Sequence, residues 1–505
     1  MNKNAKNRFP FLLLFLSIVV QLGALFYIFN PGVFFYKYWE LALRLRGVIP
    51  PAIEVFYSSP FYICFLAFFQ GMGVNYLNIQ IIQILLGAFD CWLIYRAGWV
   101  FFNRPVGIIA SLMAVFYGPF IIYNSSFLPS VWVITFNLVF LICLGNYARG
   151  RKPIHLIVAG LFIGLSVITR PNIAIFLFLL VPWLLANSEK CGVRLWRIFF
   201  LLFPTALIIL PVTGYNYLNS SEFIPITASG GWVFYCGNNE RVKGFDFNPP
   251  PELNDRISSY YSKPGSEKLS YLEHILSREL AQEKSEEYLG HRAAASFWLS
   301  EGISFIRENP GSYLKLLGKK LLYTVNGYEP HDVPEVMDRS QRLKPYPLIG
   351  LYILLPLALL GIIIVRPRSG GVILYLYLLS YLISFLIMYV IPRFRLPLVP
   401  IFLILAAAVL LELYNQIRGK KWSGLLRNII ILILLAILVN LTTPDIKRDR
   451  EIVRPAFFHE WKGLTCMKRG EWGEAQEEFR EALELNPESY QARLGLELEL
   501  IDSRN

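Results

Sequence analysis

Residues 10–29 read PFLLLFLSIVVQLGALFYIF, an apolar run without a charged side chain. A helix of about 20 apolar residues is long enough to cross the hydrocarbon core of a bilayer. Lys3, Lys6 and Arg8 precede the run, which is too long for a signal-peptide core and is followed by no small-residue cleavage site. We therefore interpret it as a signal anchor that stays in the membrane.

The same apolar character extends along the chain of 505 residues, of which 55% are hydrophobic and 17% are charged. A soluble protein has roughly 25% charged residues. The composition therefore excludes a cytosolic enzyme, a disordered chain and a disulfide-rich protein. It predicts an all-α polytopic membrane protein with about eleven transmembrane helices, at 10–29, 77–101, 105–123, 127–147, 154–169, 171–187, 197–217, 346–365, 371–391, 396–416 and 424–441.

The distribution of Lys and Arg orients these spans. With the N-terminus in the cytoplasm, every predicted inside loop is basic, as the positive-inside rule requires. The residues concerned are Arg104, Arg149, Arg151, Lys152, Lys190, Arg194, Arg197, Arg366, Arg368, Arg418, Lys420, Lys421 and Arg427. We expect a multi-pass protein of the cytoplasmic (inner) membrane with its N-terminus inside and its C-terminus outside.

This layout predicts four parts. They are a membrane core at 1–217 with an interfacial first loop at 30–76, an extracytoplasmic domain of mixed loops and helices at 218–345, four further spans at 346–441, and an extracytoplasmic tail at 442–505. The domain at 218–345 and the tail are net acidic, although the whole chain has a net charge of +12. The remaining residues contain few acids, which are Glu40, Glu54, Asp90, Glu189 and Glu412.

Three arginines stand at predicted outer ends of spans, namely Arg170, Arg393 and Arg395. Charge near membrane depth is costly and marks functional positions, and the guanidinium group suits a bidentate grip on phosphate. We favour a site for a lipid-linked phosphate over simple contact with lipid headgroups. For Lys37, Arg44 and Arg46, on an amphipathic run, headgroup contact is the favoured interpretation.

Short motifs follow one another along this frame. They are Tyr38-x-Glu40-Leu41-Ala42, Phe56-Tyr57-x-x-Pro60-Phe61-Tyr62, Thr169-Arg170-Pro171-Asn172, Gly230-Gly231-x-x-Phe234-Tyr235-x-Gly237-Asn238-Asn239, Phe305-Ile306-Arg307-Glu308-Asn309-Pro310-Gly311, Asn326-Gly327-Tyr328-Glu329 and Arg393-Phe394-Arg395-Leu396-Pro397. Their order resembles the GT-C superfamily of membrane glycosyltransferases, in particular protein-mannosyltransferase-like bacterial members with a C-terminal tetratricopeptide segment. The resemblance implies a polyprenyl-phosphate-linked sugar donor, used at the outer face, and inversion at the anomeric carbon.

The resemblance also implies an Asp shortly after the first span and a second acid near 126–130. This chain instead has Val33-Phe34-Phe35-Tyr36-Lys37 and Ser126-Phe127-Leu128-Pro129-Ser130 at those places. The departure supports an alternative function, a catalytically degenerate relative that acts as a binding or scaffold subunit in envelope glycan assembly. A transporter would need polar midplane positions in paired repeats, and Asp90 alone does not supply them.

Sugar transfer from a lipid phosphate needs a carboxylate base and fixed cations at the departing phosphate. In the membrane-associated part, Glu40 and Glu54 are the acids predicted at the outer face. We favour Glu54, which lies in an irregular segment after Pro50-Pro51, with a solvated loop acid as the alternative. Glu40 stands four residues before Arg44, and such a pair forms an ion pair on a helix.

Further side chains are predicted to contact substrate: Tyr57, Asn172, Asn238, Asn239 and Glu329. For the two consecutive asparagines a turn is the alternative interpretation. His331 with Asp332 resembles one corner of a metal site, but neither an HExxH motif nor a cysteine cluster accompanies them. We therefore predict no metal site, and leave open a divalent cation held by loop acids and the donor phosphate.

Residues 455–488 fit one tetratricopeptide unit of 34 residues. The matching positions are Gly463, Gly470, Trp472, Ala475, Phe479, Ala482 and Pro487. One repeat buries little surface alone, so the tail is expected to pack on the 218–345 domain or to bind a protein partner; a plain helical hairpin is the alternative. The other expected partners are the donor and membrane lipids, and no nucleic acid, because no basic face is predicted.

Overall fold

The computed structural model describes residues 3–28, 37–186, 191–244, 247–261, 271–330, 333–346, 348–368, 370–489 and 492–496. Within these ranges the chain is helical and contains no β-strand. The α-helices are Lys3–Ile28, Lys37–Leu45, Pro60–Gly71, Tyr76–Phe101, Arg104–Val115, Gly118–Ser125, Ser130–Gly150, Pro153–Thr169, Ala174–Ala186, Cys191–Ser220, Gly230–Gly237, Pro251–Tyr261, Leu272–Ser285, His291–Glu308, Pro310–Thr324, Pro334–Leu343, Leu351–Ile364, Val372–Ile387, Pro392–Arg395, Val399–Arg418, Trp422–Val439, Pro444–Arg448, Arg454–Arg469 and Trp472–Leu485. The all-α prediction is therefore confirmed.

Six described helices are long and apolar enough to cross a membrane. They contain Phe9–Ile28, Tyr76–Phe101, Ser130–Gly150, Arg194–Ser220, Pro392–Arg418 and Trp422–Val439. The other five predicted spans fall on shorter apolar helices, such as Arg104–Val115, which stops before Gly118-Pro119. Proline lacks the N–H group that would continue the helix ladder. The count of eleven spans remains a prediction.

The helices of the bundle pack around one large apolar core. Helix Pro153–Thr169 lies between Ser130–Gly150 and Cys191–Ser220. Close approach depends on Gly160, where an added Cβ would lie 2.2 Å from the carbonyl oxygen of Leu201. A side chain at this position would therefore force the two helices apart.

A second apolar cluster holds together the helices between the two sets of spans, with Trp232, Leu280 and Trp298 at its centre. The glycine-rich sequence at 229–239 favours a loop or strand, and this prediction is wrong, because Gly230–Gly237 is a helix. Its packing explains the glycines: a Cβ on Gly231 would lie 1.7 Å from the carbonyl oxygen of Ala295. The glycine allows the two helices to touch backbone to backbone.

The C-terminal hairpin consists of helices Arg454–Arg469 and Trp472–Leu485. Gly470 ends the first helix in the left-handed region, with φ +77°. A Cβ on Gly463 would lie 2.7 Å from the ring of Phe479, so the two helices pack closely at this point. Phe479 is buried with Ala475 and other small residues, which form a separate small core.

Candidate functional site

A cavity of about 730 Å³ opens at one end of the helix bundle. Residues of the first loop, of the 218–345 segment and of the tail all line it, so the three segments predicted outside the membrane lie at the same end. Its charged and polar lining residues include Lys37, Tyr57, Arg170, Glu273, His274, Arg393 and Arg454.

Two span ends bring Arg170 and Arg393 to the wall of this cavity. Each stands beside a proline, and the residue before a proline is driven out of the helical region. Arg170 is accordingly extended, with φ −144°, and ends helix Pro153–Thr169. Ile391 is extended in the same way before Pro392, which begins the short helix that carries Arg393.

The two guanidinium groups are held by shared contacts. Arg170 Nη1 donates a hydrogen bond of 2.7 Å to the carbonyl oxygen of Arg393, and Nη2 donates to Ser130 Oγ at 3.3 Å. The guanidinium carbons of Arg170 and Arg393 lie 4.7 Å and 5.6 Å from the ring centre of Phe394. Because one aromatic ring contacts both cations, they stand side by side at the cavity wall. The structure therefore brings together two of the three predicted phosphate-binding arginines.

Glu273 brings a carboxylate to the same cavity. It lies in the first turn of helix Leu272–Ser285, and its Oε1 accepts a hydrogen bond of 2.8 Å from Trp232 Nε1. Burial lowers the pKa of Lys37, which also lines the cavity; the Glu273 carboxylate acts against this shift and Arg393 adds to it. Among the described lining residues, Glu273 is the one acid. A carboxylate and several basic side chains thus line one cavity.

Tyr57 connects the large cavity to a smaller one of about 190 Å³, because it lines both. Its hydroxyl lies 2.6 Å from His291 Nδ1, and His291 Nε2 lies 3.1 Å from Glu54 Oε2. Burial raises the pKa of Tyr57 to about 12, against the nearby Arg278. The phenol is therefore protonated at neutral pH and can donate to His291.

The structure places the two predicted catalytic acids away from the large cavity. Glu54 lines the smaller cavity, and its side chain is 65% exposed. Glu40 forms the predicted ion pair with Arg44, with 2.8 Å between Oε1 and Nε. Neither residue lines the space that Arg170 and Arg393 share. The first-loop residues 33–36, where the sequence lacks the expected Asp, lie outside the described residues.

Arg395, the third predicted phosphate ligand, is turned into the protein. It is 4% exposed, and its Nη1 donates to the carbonyl oxygens of Tyr323 and Asn326 at 3.0 Å and 2.6 Å. Its Nη2 donates to the carbonyl oxygen of Tyr328. The guanidinium group therefore donates hydrogen bonds to three backbone carbonyls. These hydrogen bonds hold the segment after helix Pro310–Thr324 against the bundle.

Arg395→Gln is expected to destabilise the protein, because buried carbonyl groups lose their donors. The cost of such groups suggests about 2–3 kcal/mol. Thermal unfolding of the purified protein in detergent measures this loss. Arg342→Gln is the matched control, since Arg342 is 41% exposed and forms an ion pair with its helix neighbour Asp338. Equal melting temperatures for the two variants would contradict the structural role.

The two consecutive asparagines that were predicted to contact substrate are instead hydrogen-bonded to protein groups. Asn238 is fully buried; its amide donates to the carbonyl oxygens of Phe234 and Ile387, and its Oδ1 accepts from Lys320. Asn239 is likewise bonded to the carbonyl oxygens of Tyr235 and Asn248, as in a turn. Neither asparagine lines the cavity. Tyr57, by contrast, does so as described above.

Glu329 and Asn172 also lie off the cavity wall. Glu329 accepts hydrogen bonds from the Tyr117 hydroxyl at 3.2 Å and the Leu351 N–H at 3.1 Å, and burial raises the pKa of its carboxyl group. Asn172 is half-buried beside Pro171, which does line the cavity. His331 and Asp332, the candidate metal corner, lie outside the described residues.

The described residues that line the cavity offer few oxygen ligands for a divalent cation. Magnesium and calcium ions take several oxygen ligands, and Glu273 is the one lining carboxylate among these residues. Two groups with metal-ligand spacing occur on the hairpin instead, His459 with Glu478 and Glu481, and Cys466 with two acids. Lys462 already binds Glu478 at 2.9 Å, which disfavours a cation there.

His274 is stacked on Tyr57, with the ring centres 4.6 Å apart and the planes 7° from parallel. Burial, aided by Lys37, lowers the pKa of His274 from 6.5 to about 3. The unfolded chain therefore binds a proton below about pH 6.5 that the folded protein does not accept until about pH 3. The stability that the neutral His274 side chain contributes is fully present above about pH 6.5. It is lost as the pH falls from about 6.5 towards 3.

His274→Phe is expected to keep the stack and to reduce this acid destabilisation. Melting temperatures at pH 7.5 and pH 4.5 check the prediction, because the difference between the two should be smaller in the variant than in the parent protein. His459→Phe, on the hairpin, serves as the control. An identical loss of melting temperature in parent and His274→Phe would contradict it.

Sequence reasoning did not single out Glu273, His274 or Arg454, and it assigned Lys37 to lipid headgroups. The net acidic charge of the 218–345 segment and the tail does not indicate that they line a cavity with cations. Their contribution to the cavity depends on contacts between residues more than 200 positions apart, such as the stacking of His274 on Tyr57. No local pattern signals such contacts.

Comparison with known proteins gives one match to a family model, a tetratricopeptide repeat over residues 456–489. The predicted unit at 455–488 is thereby confirmed. No curated protein matches the sequence.

Several solved structures are similar to the chain. One is an oligosaccharyltransferase of Archaeoglobus fulgidus in complex with Zn and sulfate, with 14% identity and a TM-score of 0.45, covering 90% of this chain. The chain spans 55% of that protein's length. Another is ArnT from Cupriavidus metallidurans bound to undecaprenyl phosphate, with 13% identity and a TM-score of 0.45, covering 96% of this chain and 77% of ArnT.

Proposed function

We propose that this chain is a membrane glycosyltransferase that moves a sugar from a polyprenyl-phosphate-linked donor to an envelope acceptor, which is a protein, lipid or glycan. The observation that carries the proposal is the cavity that Lys37, Arg170, Arg393 and Glu273 line together. Fixed cations and a carboxylate base are the two groups that this reaction needs. We place the reaction at the outer face of the cytoplasmic membrane, with the N-terminus inside.

The arginine pair is proposed to bind the donor phosphate. As the bond between the anomeric carbon and the phosphate oxygen breaks, negative charge develops on that oxygen. Arg170 and Arg393 stabilise this charge, and the Phe394 ring and the Ser130 hydroxyl hold Arg170 in place beforehand. Groups fixed in advance stabilise a transition state without the cost of reorganisation.

Glu273 is proposed as the general base. Its carboxylate accepts the proton of the acceptor hydroxyl while the acceptor oxygen forms its bond to the anomeric carbon. The phosphate leaves from the opposite face, so the configuration inverts. Glu54 remains the base that the sequence predicts, but the geometry favours Glu273, because its side chain lines the same cavity as the arginine pair.

The alternative is a degenerate relative that binds the donor without turning it over. The sequence at 126–130 favours this alternative, because Ser126 to Ser130 include no acid. Leu128 and Pro129 line the cavity, so an acid at this place would face the proposed donor site. The two functions differ in turnover rather than in binding.

Transfer of label from a radiolabelled polyprenyl-phosphate sugar to membrane acceptors distinguishes an active glycosyltransferase from a degenerate relative. We expect purified full-length protein to transfer the label, and Glu273→Gln to bind donor without transferring it. Binding of the donor without any turnover by the parent protein would favour the scaffold. Absence of both binding and transfer across polyprenyl-phosphate sugars would overturn the proposal.

A further inference from the structure

Part of the cavity wall comes from the C-terminal tail. Arg454 and Phe457 both line the cavity, and both belong to helix Arg454–Arg469. Residues three apart on a helix share a face, so the first turn of this helix presents a cation and an aromatic ring together. The same helix contains the start of the tetratricopeptide match at residue 456.

The tail is fixed to the rest of the protein just before this turn. Asp449 is 4% exposed, and its Oδ2 accepts a hydrogen bond of 2.9 Å from the Tyr328 hydroxyl. Lys319 forms an ion pair of 2.8 Å with Asp445 on the preceding helix. These contacts join the tail to the segment that Arg395 fastens to the bundle, so the position of the tail is set from the membrane part.

Asp449 also orients the arginine. Arg454 Nε lies 3.2 Å and 3.1 Å from the two oxygens of the Asp449 carboxylate. A guanidinium group bound through Nε to a buried acid has a defined direction, and this one stands at the cavity wall with 21% of its side chain exposed. Such a group is arranged to meet an anion rather than to move freely in solvent.

We propose that Arg454 is a binding residue for the donor phosphate, supplied to the membrane site by the tetratricopeptide tail. The inference rests on the proposed function, since it takes the cavity to be the donor site. Arg454 adds a cation to the arginine pair, and Phe457 adds an apolar surface beside it. The hairpin is then part of the substrate site, and a partner that shifts Arg454 on binding the hairpin would change donor affinity.

Binding of undecaprenyl phosphate to the purified full-length protein tests this inference. Arg454→Ala is expected to weaken binding by about tenfold or more, the usual effect of one charge-assisted hydrogen bond. Arg454→Lys should retain part of the affinity. Arg448→Ala is the matched control, because it removes one positive charge from the same segment, where Arg448 is 52% exposed and pairs with Glu488. We expect it to bind normally.

A neutral probe separates phosphate recognition from a general effect on the cavity. Undecaprenol, which lacks the phosphate, should bind Arg454→Ala as well as it binds the parent protein. Equal weakening of both lipids would overturn the inference, because it would indicate loss of structure. Melting temperatures of the variants check the same point.

The arginine pair distinguishes failure of the inference from failure of the proposed function. If Arg170→Ala weakens binding of undecaprenyl phosphate and Arg454→Ala does not, the tail is not a phosphate ligand and the proposed function stands. If none of the cavity variants changes binding, the cavity is not the donor site, and both proposals are overturned.

Discussion

Arg170→Ala and Arg393→Ala are each expected to lower the rate of sugar transfer by about 10²- to 10³-fold, the usual effect of removing one preorganised group at a developing negative charge. The two arginines contact the same ring, Phe394, and Arg170 donates to the backbone of Arg393. Their effects should therefore be less than additive in the double variant. Initial rates with a labelled polyprenyl-phosphate sugar measure both the single and the combined effects.

Arg418→Ala provides the control for this experiment. Arg418 lies at the other end of helix Val399–Arg418, and its guanidinium carbon is 5.9 Å from the Tyr414 ring. The substitution removes one positive charge from the membrane part at a residue that does not line the cavity. The variant should therefore transfer sugar at the parent rate. Full activity in both Arg170→Ala and Arg393→Ala would remove the arginine pair from the mechanism.

Glu273→Gln is expected to reduce transfer by about 10²- to 10⁴-fold, the contribution that a positioned general base makes. Donor binding should persist, because glutamine has nearly the same shape and can still accept the hydrogen bond from Trp232 Nε1. The loss should therefore appear in the turnover rate rather than in donor affinity. Equilibrium binding and initial rates, measured on the same preparation, separate the two.

Glu54→Gln is the informative comparison for Glu273→Gln. Glu54 lies in the smaller cavity, where its carboxylate contacts His291, which in turn contacts Tyr57 at the large cavity. We expect this variant to retain most of the transfer rate. Loss of transfer in Glu54→Gln with normal activity in Glu273→Gln would instead support the base predicted from the sequence.

The fold class could be predicted because its signals are local. Long apolar runs predict the membrane spans, and basic loops predict which ends of the spans face the cytoplasm. Neither signal depends on contacts with the rest of the chain. The tetratricopeptide unit could be predicted for the same reason, since Gly463 and Phe479 form their contact within one repeat. The helix at Gly230–Gly237 was missed because glycines usually mark turns, whereas here Gly231 allows close contact with Ala295.

The site could be predicted only in part. Arg170 and Arg393 were identifiable because each is a charge at a span end beside a proline. Arg395 also stands at a predicted span end, but it donates to three backbone carbonyls, a role that depends on the position of the segment 323–328. Glu273 and Arg454 carry no local signal, because their place at the cavity follows from how distant segments pack.

The structure of the full-length protein with undecaprenyl phosphate, determined in lipid nanodiscs, would show directly where the donor phosphate binds. We expect the phosphate in the 730 Å³ cavity, within hydrogen-bond distance of Arg170 and Arg393 and facing Glu273. A phosphate bound outside this cavity, with the arginine pair in contact with protein groups alone, would overturn the proposed donor site.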